Sequence, residues 1–208
     1  MYRLFYDYHT IGDVLMIVFN NQKKADRIDK KGNTVAIYSH DELIGVNLFD
    51  ISNIVRIKAQ GMIHNPAPAF IEVINHVLVN DGLSPLPLQT DSGFIVGQIL
   101  EVIEEENATP IAKIDLGSRV IYVKALKPSL PVNRLVVIAL PGTILGNGQT
   151  VLLEETSGVF CEGQLCRKSE LNIPFEKDND DIYFLEQFME IGQDFFCKGV
   201  SYGTGNHP

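Results

Sequence analysis

Five cations gather in one stretch of an otherwise acidic chain. Lys113, Arg119, Lys124, Lys127 and Arg134 fall between Lys113 and Leu153, where Asp115 is the only acid. Four of them lie on or beside segments that read as β-strands; Lys127 falls in the loop after one. Successive strand residues face opposite sides, so Tyr122 and Lys124 share a face, which sets an aromatic ring beside an ammonium. That combination suits single-stranded or looped RNA, where cations meet phosphates and rings stack on bases. The surroundings oppose such a ligand. The net charge of the 208 residues is −9: residues 1–90 hold 8 basic and 9 acidic groups, residues 91–208 hold 9 and 17. Acidic proteins are poor non-specific polyanion binders, and acid clusters at Glu104-Glu105-Glu106, Glu154-Glu155 and residues 176–194 flank the cationic stretch.

Other chemistries find little material. Ser157 lies in Thr-Ser-Gly-Val, not in a GxSxG elbow. The histidines are His9, His40, His64, His76 and His207, so a Ser/His or Cys/His pair would have to cross between the two halves of the chain. An enzyme built on His40, Asp41 or His64 ranks last, since no acid and base stand at diagnostic spacing. No GxxxxGK[ST] or GxGxxG motif opens a helix after a strand. The run Asp178, Asp180, Asp181 lacks the glycine and closing glutamate of a calcium loop. Cys161, Cys166 and Cys197 contain no CxxC and are odd in number, which argues against a disulfide framework or zinc and for small buried hydrophobes. Neither a cofactor nor a metal is expected. No apolar run is long enough to span a bilayer, and Met1 to Thr10 lacks the features of a signal peptide, so a cytoplasmic location is expected.

The elements that must position these residues divide near Ser84 to Gly93, where Pro85, Pro87 and a Thr-Asp-Ser-Gly cluster read as a connection. In the first part, Val14 to Phe19, Thr34 to Tyr38 and Leu43 to Phe49 read as strands. Asn20 to Asn33 reads as a polar turn or short exposed helix, and Ile51 to Ile57 as a continuation of the sheet. Phe70, Ile71, Ile74, Val77 and Leu78 fall at helical spacing within Ala67 to Asn80. Asn65-Pro66 supplies a start and Asp81-Gly82 a stop. The second part is strand after strand: Phe94 to Ile103, Ile111 to Leu116, Arg119 to Ala125, Leu135 to Leu140 and Val151 to Leu153, with an outer strand over Asp181 to Leu185. Gly117-Ser118 is a tight hairpin turn. Five short strands with glycine turns suit an OB-fold, a five-stranded partly open barrel that often binds oligonucleotides. The expected organisation is a small α+β domain over residues 1–88, an all-β OB-fold domain over 89–200 and a flexible tail over 201–208.

The stretch from Leu135 to Leu171 also resembles the C-terminal half of the YtpR-type bacterial tRNA-binding proteins. Gly142, Gly148, Gly158-Val159, Gly163, Cys166 and Glu170-Leu171 carry the resemblance. Those proteins share the barrel with tRNA-binding appendages of methionyl-, tyrosyl- and phenylalanyl-tRNA synthetases. An early aromatic strand, Gly12-Asp13 and Asn47-Leu48-Phe49 resemble their N-terminal domain. The resemblance implies non-catalytic binding of tRNA or another structured RNA. Phosphates would meet Lys113, Arg119, Lys124, Lys127 and Arg134, with Arg167 and Lys168 at the far rim. Tyr122 would stack, and Asn107 and Ser129 would meet a base or ribose.

Three departures from the family pattern bear on that reading. Its His-Pro-Asn-Ala-Asp-Lys-Leu motif stands here as Glu105-Glu106-Asn107-Ala108-Thr109-Pro110-Ile111. Its Gly-Ala-Pro-Asn loop is Leu126-Lys127-Pro128-Ser129. Its Ser-Ser-Gly-Met turn is Cys161-Glu162-Gly163-Gln164, which puts an acid where RNA would approach. Scaffold residues are kept and several contact residues are not. The alternative is a protein-interaction or dimerisation module, associated with a synthetase or with a second copy, that has lost most RNA affinity.

Overall fold

Strand alternation and one amphipathic helix organise the first part of the chain. The computed structural model describes residues 2–89, 91–104, 109–127, 129–173, 181–186 and 189–196. The chain divides into two compact units, residues 1–90 and 91–208. The first contains β1 (Arg3–Tyr6), a single helical turn α1 (Tyr8–Ile11), β2 (Val14–Val18), β3 (Arg27–Lys31), β4 (Thr34–Ser39), β5 (Glu42–Phe49), β6 (Gly61–Ile63) and helix α2 (Pro68–Asn80). The strands pair antiparallel in the order β3-β4-β5-β2-β1-β6. Leu15 and Ile17 of β2 alternate with less buried neighbours and join Val46, Leu48 and the α2 residues Ile71, Ile74 and Leu78 in one core. Pro68 opens α2, where its missing N–H costs nothing. Gly82, at φ +84°, closes it: the Leu83 N–H donates to Leu78 O at 2.8 Å and the Gly82 N–H to Val79 O at 3.0 Å. This is a Schellman arrangement that satisfies the last carbonyls.

Two expectations for this unit are corrected. Residues 20–33 are neither a helix nor only a turn. They contain β3, an edge strand whose every residue is exposed. Its sequence lacks the apolar alternation that marks a half-buried strand, and its pairing with β4 decides its conformation. Residues 51–57 do not continue the sheet. Asp50 adopts a left-handed conformation, and a 3-10 turn over Ile51–Asn53 carries Ile51 into the core.

In the second unit, β7 (Phe94–Ile103), β8 (Ile111–Asp115), β9 (Val120–Lys124) and β10 (Leu135–Ala139) are followed by a short hairpin of β11 (Glu154–Thr156) and β12 (Val159–Cys161) and by β13 (Gln164–Leu165). The sheet order is β13-β10-β7-β8-β9, with β11 and β12 paired separately. The five strands curl into a half-barrel. Gly97 of β7 and Gly163 show why. A Cβ on Gly97 would stand 2.6 Å from Ile114 Cγ2, and one on Gly163 would stand 2.9 Å from Ile138 Cγ2 and 3.4 Å from Ile121 Cδ1. With no side chain there, Gly97 fits against Ile114 and Gly163 fits between Ile138 and Ile121, and β13 comes near β9, the two edges of the sheet. The Glu162 N–H then donates to Tyr122 O at 2.9 Å, linking the end of β12 to the free edge of β9. Ile99, Ile114, Ile121, Val123, Val136, Ile138 and Leu165 fill the interior.

The fifth strand of the sheet is Gln164–Leu165, not Val151 to Leu153. The Val151 N–H donates to Thr143 O and its carbonyl accepts from Gly142, so this stretch closes a loop and joins no sheet. The expected outer strand over Asp181 to Leu185 makes isolated bridges, Arg167 to Ile182 and Val136 to Phe184. Taken over all described residues, the chain is mostly β with few helices. None of its described helices is long and apolar enough to cross a membrane.

Candidate nucleic-acid interface

The pairing of β8 with β9 sets the geometry of the outer face. Lys113 stands directly opposite Tyr122, Ile111 opposite Lys124 and Asp115 opposite Val120. On β9, Ile121 and Val123 are fully buried while Tyr122 and Lys124 are half-exposed. On β8, Ala112 and Ile114 are buried while Lys113 is half-exposed. Lys113, Tyr122 and Lys124 therefore share one outward face, the tyrosine directly across from Lys113 and two residues before Lys124 on its own strand. Glu101 of β7 stands opposite Lys113 on its other side, beyond a bulge between Ile99 and Glu101.

Carboxylates occupy much of the remaining cationic surface. Arg119 Nη1 donates to Glu162 Oε2 at 2.7 Å. Lys124 pairs with Glu154 of β11, and Lys127 with Asp181. Asp181 is held below the usual carboxylate range, first by the hydrogen bond from Lys127, then by the Ile182 N–H, with the charge of Arg167 acting in the same direction. Lys127 and Arg167 thus converge on one acid. Arg134 stands apart from this group, its guanidinium 5.5 Å from the centroid of the Phe184 ring. Lys113, Arg134 and Lys168 form no ion pair with a described residue. Ser129 is exposed. Asn107 and Pro128 lie outside the described residues, as do Cys197 and the tail over 201–208.

The turn after β13 is built on Glu170. This carboxylate is nearly buried; it accepts from the Arg167 N–H and from Gln164 Nε2, each at 2.7 Å. The two bonds fix the loop that carries Arg167 and Lys168. Cys161 and Cys166 are buried free thiols. Burial, reinforced by the charge of Glu170, pushes the Cys166 thiol well up, so it is held as the unreactive acid form. No group of three or more His, Cys, Asp or Glu residues among those described is placed to hold a metal.

Two features escaped the reading of the sequence. The first is Phe160, 61% exposed on β12, with Leu152 and Leu153 also exposed just before the hairpin. Alternation against buried Cys161 would have placed Phe160 outward. The second is the choice of partners: Glu154, Glu162 and Asp181 lie 30, 43 and 54 residues from their cations, separations that no local pattern encodes.

The chain is similar in sequence to several known proteins. The family described as "Domain of unknown function (DUF4479)" matches residues 21–91. The Bacillus subtilis protein named "Putative tRNA-binding protein YtpR" is 25% identical over 197 residues, which cover 92% of this chain and 98% of that protein. The phenylalanine–tRNA ligase beta subunit of Thermotoga maritima is 27% identical over 108 residues, 51% of this chain but 14% of the subunit. That of Chromobacterium violaceum is 30% identical over 105 residues, 49% of this chain and 13% of the subunit. The chain therefore spans only a small part of the ligase subunits, whereas its similarity to the YtpR-type protein runs along nearly its full length.

Proposed function

We propose that the second unit is an OB-type barrel that binds tRNA or another structured RNA without catalysis, and that the protein is a two-domain cytoplasmic RNA-binding protein with an α+β first domain. The observation that carries this reading is the Lys113–Tyr122–Lys124 face, an aromatic residue that shares the outside of a curled sheet with two lysines. Phosphates would meet Lys113, Arg119, Lys124, Lys127 and Arg134, with Arg167 and Lys168 on the loop held by Glu170. Asn107 and Ser129 would contact a base or ribose. The full-length similarity to a protein named as tRNA-binding supports the choice of ligand.

The carboxylates on this surface lower the affinity without blocking the site. Glu154, Glu162 and Asp181 are all substantially exposed. Exposed pairs contribute about 0–1 kcal/mol each, so a phosphate can replace a carboxylate at little cost. The freed carboxylate stays nearby and repels the incoming backbone. Binding is accordingly weak and falls with salt. A gel-shift titration with unfractionated tRNA at low salt tests the reading. A complex that dissolves as salt rises is expected; no complex at tens of micromolar protein rejects it.

A second reading has its own observation. Phe160, Leu152 and Leu153 expose apolar surface at the β11–β12 hairpin, and such surface suits a protein partner or a second copy. Under that reading the purified protein carries a defined protein partner and no nucleic acid, seen as a low 260/280 absorbance ratio.

A further inference from the structure

We propose that the β3 edge of the first unit, with the loop before it, is a second contact surface for RNA phosphates; this rests on the tRNA reading above. Lys23, Lys24, Arg27, Lys30 and Lys31 fall within nine residues, against Asp26 and Asp29. The fold turns that run into a sheet edge on which every residue from 21 to 33 is exposed. Arg27 stands opposite Tyr38 and Lys31 opposite Thr34, while Lys30 stands opposite Val35 on the other side of the sheet. Cations therefore straddle the edge.

These cations differ in what holds them. Lys31 caps α2: its Nζ donates to Asn80 O at 3.0 Å and lies 3.9 Å from Asp81 Oδ1. Its role is structural. Lys23 pairs with Glu42, and Arg27 with Asp29. Both pairs are exposed and exchange readily for phosphate. The Arg27 guanidinium also lies 3.9 Å from the centroid of Tyr38, which restrains it before a ligand arrives. Lys24 and Lys30 make no ion pair with a described residue. The outer edge of β3 pairs with no other strand of its sheet, so its outward N–H groups are available as further phosphate donors. Asp26, Asp29, Asp41 and Glu42 lie in or beside the same stretch and offset its cations in number, so attraction for a phosphate here is local, from Lys24 and Lys30, and not from a net charge of the surface. Strand addition by an acidic peptide is the rival. Lysines on an edge strand oppose such pairing, and Ile28 is the only apolar side chain that β3 offers as an anchor.

The test uses the full chain and fluorescein-labelled unfractionated tRNA, with anisotropy read across a salt series. Lys24→Gln/Lys30→Gln is compared with wild type and with Lys113→Gln/Lys168→Gln of the second unit. The β3 pair is expected to lose roughly tenfold in affinity at low salt and to flatten the logarithmic salt slope by about 1.4, the share of two phosphates. A wild-type affinity and slope in Lys24→Gln/Lys30→Gln overturns the inference. If Lys113→Gln/Lys168→Gln is then weakened, the tRNA reading of the barrel survives; if wild type itself forms no complex, both fall together. Labelled poly-glutamate that binds wild type but not the β3 variant, with tRNA binding unaltered by that variant, overturns the inference in favour of an acidic protein partner.

Discussion

Tyr122 separates a binding role from a structural one. It is half-exposed on the face it shares with Lys113 and Lys124, and only its backbone carbonyl takes part in closing the sheet, through the Glu162 N–H. Tyr122→Ala should therefore melt close to wild type while losing roughly tenfold in tRNA affinity, since a stacked base contributes about 1–3 kcal/mol; equal affinity would remove the stacking role. Glu170 behaves in the opposite way. Its two short bonds hold the Arg167 loop from a nearly buried position. Glu170→Ala should destabilise by about 2–3 kcal/mol in urea unfolding, and a shift near zero would mean that the loop is held by other contacts. For Cys166, the raised thiol pKa and full burial predict no labelling by a thiol reagent at pH ~8 until the protein is unfolded. The Lys127–Asp181 pair sets a pH window. The folded Asp181 has a lowered pKa, so its contribution is present above the unfolded value and is lost only as pH falls through the lower folded one. A change in tRNA binding between pH 7 and 5 would thus have another source.

Most of the elements are legible in the chain because their signals are local. β7 runs from Phe94 to Ile103, where the β-rich run places it, and α2 ends where Asp81-Gly82 stops it. The failures have identifiable causes. β3 has no buried face, so no alternation marks it. β13 is two residues long, and only its pairing with Ile138 and Ala139 makes it a strand. Val151 to Leu153 has strand composition, but the Thr143 and Gly142 backbone claims Val151 for a loop. At the interface, strand alternation was enough to place Tyr122 and Lys124 on one face. The carboxylates opposite the cations were not readable, because they come from β11, from the turn after β12 and from the segment at Asp181. Two glycines, Gly97 and Gly163, sit where an added Cβ would crowd the interior of the curled sheet, and their spacing means nothing until the fold is known. Gly163→Ala would force a methyl to 2.9 Å from Ile138 and 3.0 Å from Ala139 O. It should destabilise by about 1–3 kcal/mol, read as a lowered denaturation midpoint; an unshifted midpoint would mean that the two sheet edges are free to separate.

For the whole molecule the governing quantity is charge. A net of −9 leaves little long-range attraction for RNA, so under the proposed function contact must come from local cations that are not already neutralised. Lys113, Arg134 and Lys168 meet that condition in the second unit, and Lys24 and Lys30 on the β3 edge. Arg119, Lys124 and Lys127 add little to salt dependence, because each carboxylate they release takes up counterions in turn. Five contacts at about 0.7 per phosphate give a logarithmic salt slope of about −3.5; a slope near zero would remove the electrostatic basis of the account. The most direct test of that account is a photo-cross-link between the full chain and tRNA carrying 4-thiouridine, with the modified peptides mapped by mass spectrometry. Adducts within residues 111–124, centred on Tyr122 and lost in Tyr122→Ala, are the predicted result. Adducts confined to other parts of the chain, or none under conditions where a known tRNA-binding protein is labelled, would contradict it.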